Sequence, residues 1–209
     1  MNIEFEKILQ ISALTLSIVN ALMLLRQYIR DKALLKVKPI HPAVYQWWFR
    51  LPEYEKNGEK IKSFGFLTYI SVGNRGLRKV ALDSWRLSII DSDGNTHILK
   101  PISIPDPSFS ITLQNGDTYN KTFSVLGIVS EKFKGETIID SGCSIIGWAY
   151  FVAEFSLESK INIRIENSKT EGIFKVEDIF GGKAKSRIVF SEITLDQAKD
   201  FVNGIEILH

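Results

Sequence analysis

The sequence predicts a mainly β chain, an antiparallel β-sandwich behind one long N-terminal transmembrane helix, closed by a short C-terminal helix. Three observations predict it. Residues Ile8 to Leu25 carry no charged side chain. From Phe64 onward, short apolar and alternating runs recur between turn signals, the pattern of a strand series. Near the end, Thr194 and Gln197 form a capping box, Ala198, Phe201 and Val202 give a helical face, and Gly204 supplies a stop. Residues 1–33 are therefore assigned to the helix and residues 34–209 to one β domain that includes the closing helix.

Eighteen uncharged residues at about 1.5 Å each span roughly 27 Å, just short of a hydrocarbon core of about 30 Å. The run lacks Pro and Gly and is rich in Leu, Ile and Ala, so a helix is its natural state. In lipid a helix also satisfies its own backbone polar groups. Phe5 and Tyr28 flank it as interfacial aromatics. A cleaved signal peptide fits poorly, because Met1 to Lys7 is acidic and Leu24-Leu25-Arg26 stands where a small-x-small site belongs. Lys7 alone precedes the run, whereas Arg26, Arg30, Lys32, Lys36 and Lys38 follow it. That asymmetry places the β domain in the cytoplasm, behind a single pass through the inner cell membrane. The unpaired Cys143 agrees with a reducing compartment, and in its apolar run it is expected to be a buried small hydrophobe.

Gln10, Ala13, Ser17 and Asn20 share one face of the helix. Amides, hydroxyls and small side chains on one face favour helix pairing in lipid, so the expected partners are membrane lipid and a second copy or another membrane protein. The alternative is an amphipathic helix of a soluble protein, packed on its own domain or buried in an oligomer.

After the helix, Leu35-Lys-Val-Lys-Pro alternates like a half-exposed strand, and Pro39 and Pro42 suit an edge or loop. Phe64 to Val72 is a strand, and Gly73 to Gly76 a turn. Lys79 to Ile90 is a second, kinked strand, joined by the hairpin turn Asp91-Ser-Asp-Gly-Asn to Thr96–Lys100. Ile104 to Pro107 is a loop. Phe109–Leu113 and Tyr119–Val125 pair across the turn Gln114–Asp117. Cys143 to Phe155 is a long apolar strand expected at the centre, Lys160 to Glu166 alternates, and Ser186 to Phe190 completes the series. A core of this size needs no disulfide or metal.

The run from Tyr69 to Leu87 (YISVGNRGLRKVALDSWRL) resembles bacterial immunoglobulin-like sandwich domains, in which a strand ends in Asn-x-Gly and the next opens on an apolar pair. Ile111 to Tyr119 is similar to a later turn of such domains. The resemblance covers about residues 64–125 and implies an immunoglobulin-like fold, often found behind one N-terminal membrane helix in small bacterial proteins. It carries over no functional residue.

The sequence carries few signatures of chemistry. His41, His97 and His209 lie far apart, outside any metal spacing, and one cysteine excludes a cysteine-rich zinc site. Gly73-x-x-Gly76 and Phe180-Gly-Gly-Lys do not match a phosphate loop, no nucleophile elbow occurs, and Asp91-Ser-Asp-Gly is closer to a hairpin turn than to a calcium loop. A net charge of +2 without a recognition motif argues against nucleic acid. No cofactor or catalytic residue is assigned. The most unusual stretch is Tyr45, Trp47, Trp48, Phe49 and Arg50. Its readings are a packing layer, an aromatic patch on lipid headgroups, or a recognition surface. Adjacent Trp47 and Trp48 in a strand must point to opposite faces. The expected function is a membrane-anchored interaction or adaptor module without catalytic activity. The alternatives are a ligand- or carbohydrate-binding sandwich using Trp47 and Trp48, and a soluble oligomer.

Overall fold

The computed structural model describes residues 2–31, 34–102, 108–112, 118–122 and 138–201. The helix α1 spans Asn2–Arg30. The strands are β1 Leu35–Pro39, β2 Gln46–Arg50, β3 Tyr54–Lys56, β4 Glu59–Asn74, β5 Val80–Ile90, β6 Thr96–Leu99, β7 Pro101–Ile102, β8 Ser108–Thr112, β9 Thr118–Thr122, β10 Ile138–Ile139, β11 Ser144–Ser156, β12 Lys169–Asp178 and β13 Lys183–Glu192. The closing helix α2 is Leu195–Phe201. The predicted loop at 104–107, the turn at 114–117 and the stop at Gly204 lie outside the described residues.

The mainly β architecture with a helix at each end is as the sequence predicts. The two-sheet, wholly antiparallel arrangement is corrected. Among the described residues, eleven strands form one continuous sheet, ordered β10-β5-β12-β13-β2-β4-β11-β7, with β1 and β3 also on β4 and β6 on β5. The pair β13–β2 is parallel. One run of chain closes most of the sheet on itself: Thr96–Leu99 pairs with β5, and Pro101 and Ile102 pair with β11. The result is nearly barrel-like. β8 and β9 pair antiparallel as a separate two-stranded sheet, the pairing expected of these two runs, with Ser108 opposite Thr122 and Thr112 opposite Thr118.

β4 organises the sheet. Its sixteen residues pair along one edge with β11, and along the other with β3, β2 and β1 in succession. Alternate residues Phe64, Phe66, Ile70 and Val72 enter the main core, where they meet Phe151, Phe155, Trp85, Leu87, Phe174 and Phe190. The kink expected in the second strand is a bulge in β5. Asp178 faces Leu82 while Glu177 faces Ser84, so Asp83 is the extra residue. The bulge switches the inward set from Val80 and Leu82 to Trp85, Leu87 and Ile89.

The opposite face of β2, β4 and β11 is buried as well. Trp47, Phe49, Leu67, Trp148, Tyr150 and Ala198 form a second core under α2. This explains why β11 reads as an unbroken apolar run: both of its faces are covered. The capping box at the start of α2 is made as predicted. Gln197 N donates to Thr194 Oγ1 at 3.2 Å, and Thr194 N donates to Gln197 Oε1 at 3.0 Å.

Several expectations shift. Lys160–Glu166 is not a strand and makes single bridges at Ile163 and Glu166, while β12, which local pattern did not predict, fills the neighbouring place in the sheet. Cys143 is exposed rather than buried. It sits in the turn ahead of β11, where its N–H bonds Asp140 O and its carbonyl accepts from Asn74 N. The apolar side chains of α1 from Ile8 to Ile29 are exposed, and none of the span is buried against the β domain.

Candidate functional site

The aromatic segment is where a recognition surface was expected, and the fold places most of it inside. Trp48 and Phe49 are fully buried and Trp47 nearly so; Tyr45 is half-buried and Arg50 exposed. Trp48 enters the main core and donates its Nε1–H to Ser168 O at 3.2 Å. Trp47 enters the second core, stacked on Trp148 with centroids 5.5 Å apart. Tyr45 stands edge-on to Trp47, Tyr69 and Trp148. Phe49 stacks parallel to Tyr150 and lies over Gly65, where a Cβ would collide with the ring. The Tyr150 hydroxyl is buried, and burial pushes its pKa up. The segment is thus a double-sided packing layer, and β2 alternates between two cores rather than between core and water.

Gln10, Ala13, Ser17 and Asn20 all lie exposed on α1. The other hydroxyls of the span are satisfied internally: Ser12 Oγ donates to Ile8 O at 2.7 Å and Thr15 Oγ1 to Ile11 O at 2.8 Å. Gln10, Ser17 and Asn20 make no such bond among the described residues. In lipid, those are the groups left to find a partner outside the chain.

His97 and Asp91 form a pair that sequence did not resolve. Asp91 is buried and accepts from Asp93 N, Asn95 N and Asn95 Nδ2, while His97 Nε2 lies 2.7 Å from Asp91 Oδ2. The hydrogen bond with His97 is the main cause holding the Asp91 carboxyl down to about 2, with the Asn95 and Asp93 bonds adding and burial opposing. A carboxyl held below its ordinary value of 3.8 stabilises the fold fully above that value, and the contribution disappears as pH falls toward 2. Asp91→Asn is therefore expected to flatten the fall of Tm across that window, as measured by circular dichroism melts in a pH series. Among the described residues, no three His, Cys, Asp or Glu side chains gather as a metal site requires.

Local pattern also missed a row of like charge. In register, Lys175 on β12 lies directly opposite Arg86 on β5 and Lys185 on β13. The three line one outward groove of about 380 Å³ together with Glu177 and Lys183. Glu177 alone compensates, at 3.8 Å from Arg86 and 3.4 Å from Lys183, so Lys175 and Lys185 have no ion pair among the described residues. Like charges directly opposite across strands are unfavourable, which makes this face electrostatically unfinished in the isolated chain. The signal was present in sequence as the alternation from Lys169 to Asp178, but the row becomes visible only once the register is known.

No family model matches the chain, and no curated protein matches it. Among solved structures, it is similar to an X-ray structure of a Northeast Structural Genomics Consortium target, at 11% identity, TM-score 0.29, covering 78% of this chain and 89% of that one. It is also similar to a protein from Bordetella pertussis provisionally named ApaA, at 10% identity, TM-score 0.28, covering 78% and 96%. Likeness at this level carries no argument about this chain.

Proposed function

We propose that the chain is a membrane-anchored interaction module. α1 crosses the inner membrane, the β domain stands on the cytoplasmic side, and the module binds a protein partner without a catalytic step of its own. The observation that carries the reading is α1 itself. The stretch Lys7–Ile29 is apolar, none of it is buried, and its 23 residues reach about 34 Å, enough to cross a hydrocarbon core. A helix this apolar requires lipid or another chain as its surroundings. Lys and Arg after the span support the sidedness. Gln10, Ser17 and Asn20 support association between helices. Anchoring raises the effective concentration of the β domain at the membrane, so a modest surface suffices for recognition.

The surface offered to the partner is the groove along Arg86, Lys175 and Lys185, and the partner contributes an acidic segment. Charge complementarity supports this: an acidic strand or loop laid there relieves the repulsion within the row. Two opposed effects of one substitution test it. Lys175→Thr is expected to stabilise the free chain by roughly 0.5 kcal/mol in urea unfolding, because it removes two like-charge neighbours and adds a good strand former. The same substitution is expected to weaken the partner captured by full-length protein from mild detergent, with binding that also falls as salt rises. A stabilised variant that binds as before would remove the groove from the proposal. A full-length chain that stays in solution without detergent as an oligomer would remove the anchor.

A further inference from the structure

The end of the β domain nearest α1 has an unusual surface. Leu34 is 49% exposed, Leu77 50%, Ile179 53% and Phe180 55%. Leu77 tops the β4–β5 turn, and Ile179 and Phe180 top the β12–β13 turn. Both turns are built rigidly rather than left loose. Asn74, buried at the end of β4, donates from Nδ2 to Arg78 O at 2.7 Å and Ile139 O at 3.3 Å, and its Oδ1 accepts from Gly76 N at 3.0 Å and Leu34 N at 3.3 Å. Asp178, also buried, accepts from Phe180 N at 2.8 Å and Gly182 N at 2.9 Å, and Gly181 takes the left-handed φ of 80° that the turn requires. The two turns meet, with the Arg78 guanidinium 4.0 Å above the Phe180 ring and Ile179 N bonded to Ala81 O at 3.1 Å. Two buried polar side chains thus hold apolar residues out into solvent.

Chain connectivity fixes where this end lies. Arg75 N donates to Leu34 O at 2.8 Å. Leu34 is only four residues beyond Arg30, so at most about 14 Å of chain separates the end of α1 from the residue that bonds the β4–β5 turn. Tyr28 and Asp31 line the same cleft as Leu77, Arg78 and Phe180. Cations ring the apolar tips. Lys36, Arg75 and Arg78 are exposed and make no ion pair among the described residues; Lys79 pairs with Asp140 at 3.0 Å, and Asp31 and Asp83 are further exposed carboxylates at this end. Lys36 is crowded by Arg75 and then by Lys38, which lower its pKa.

We propose that this end is a second membrane contact. Leu77, Ile179 and Phe180 enter the headgroup layer of an anionic bilayer, Arg75, Arg78 and Lys36 engage its phosphates, and the domain is held in one orientation instead of swinging from α1. The inference rests on α1 spanning the membrane. Apolar side chains rimmed by Lys and Arg are the combination that beds into a lipid interface, and the anionic surface supplies the counter-charge that the protein lacks. The arrangement also presents the Arg86–Lys175–Lys185 groove at a fixed height, one strand row beyond the pair Glu177 and Lys183 that borders the β12–β13 turn.

The test uses the full chain with Cys143→Ser and one nitroxide label at a time, on Leu16→Cys, Leu77→Cys, Phe180→Cys or Ile98→Cys. The protein is reconstituted in phosphatidylcholine vesicles containing phosphatidylglycerol, and each label is probed with oxygen and with a water-soluble nickel chelate. Labels at 16, 77 and 180 are expected to favour oxygen, and the label at 98, at the far end of the domain, to favour the chelate. Phosphatidylcholine alone is expected to shift 77 and 180 toward water and leave 16 unchanged. Labels at 77 and 180 that match 98 while 16 remains in lipid overturn the contact but leave the anchor standing. A label at 16 that is itself accessible to the chelate overturns both.

Discussion

Trp48→Ala is expected to lower the stability of the β domain by about 4 kcal/mol, a large share of what a single domain possesses. Trp48 has no exposed surface, packs near Phe64 in the main core, and anchors Ser168 through its indole N–H. Ser168 O also accepts from Glu192 N, and Ile193 N donates to Trp48 O, so one residue ties β2, β13 and the turn into β12 together. Truncation removes the burial, opens a cavity and leaves part of that junction without its donor. Trp47→Ala is expected to cost about 3 kcal/mol, through the lost stack on Trp148. Arg50→Ala is expected to change stability by less than about 0.5 kcal/mol, since its contact with Glu192 is exposed and 3.9 Å long. Urea unfolding in mild detergent, followed by far-ultraviolet circular dichroism, measures all three. A midpoint for Trp48→Ala within error of the parent would show that the tryptophan lies on a surface, and would return the segment to recognition.

How much of this was legible follows from how local each signal is. The helix, the β5–β6 hairpin and the α2 cap were readable because a few neighbouring residues determine them. The turn at Asp91 works through its own side chain, which accepts from Asp93 N at 2.9 Å and Asn95 N at 2.8 Å. The β3–β4 hairpin carried an equally local signal that went unread: Asn57-Gly58, with φ of 55° and 83°, is the pair a tight two-residue turn prefers. β2 and β12 failed for different reasons. β2 is buried on both faces, so alternation is absent. β12 does alternate, but its inward set is Thr170, Gly172, Phe174, Val176 and Asp178, in which two of five are bulky and apolar. Gly172 is small because Leu87 Cδ1 and Phe190 Cε2 would stand 2.8 and 3.2 Å from a Cβ there. That constraint comes from two other strands.

The same division separates the candidate surfaces. The α1 face was legible because helical spacing places Gln10, Ser17 and Asn20 together without help from the rest of the chain. The cation row and the apolar tips were not. Arg86, Lys175 and Lys185 sit on three strands, and Leu77 and Phe180 in two turns; only long-range pairing brings each set to one place. A parallel contact such as β13 with β2 leaves no mark in either segment's own pattern, and through it the sheet curls instead of dividing in two.

Ile18→Arg is expected to abolish membrane retention of the full-length chain while leaving the β domain folded. Ile18 stands at the middle of Lys7–Ile29, where an arginine costs about 3 kcal/mol on insertion scales. That corresponds to a shift of roughly a hundredfold in an insertion equilibrium. The span has little margin to absorb it, because Gln10, Ser17 and Asn20 already carry polar groups that the helix does not satisfy. The β domain is unaffected by the change because Ile18 is exposed and its part of the span is not buried against the domain, so the circular dichroism and melting profile report the parent fold. Ile29→Arg, at the end of the span, is expected to be tolerated, since a long cationic side chain there reaches the headgroups. Carbonate extraction followed by sedimentation separates the outcomes. Loss from the pellet for position 18 and retention for position 29 is a depth dependence that only a bilayer imposes. Equal loss for both, or for neither, means that protein surrounds this helix rather than lipid, and the oligomer becomes the better account of its exposed apolar side chains.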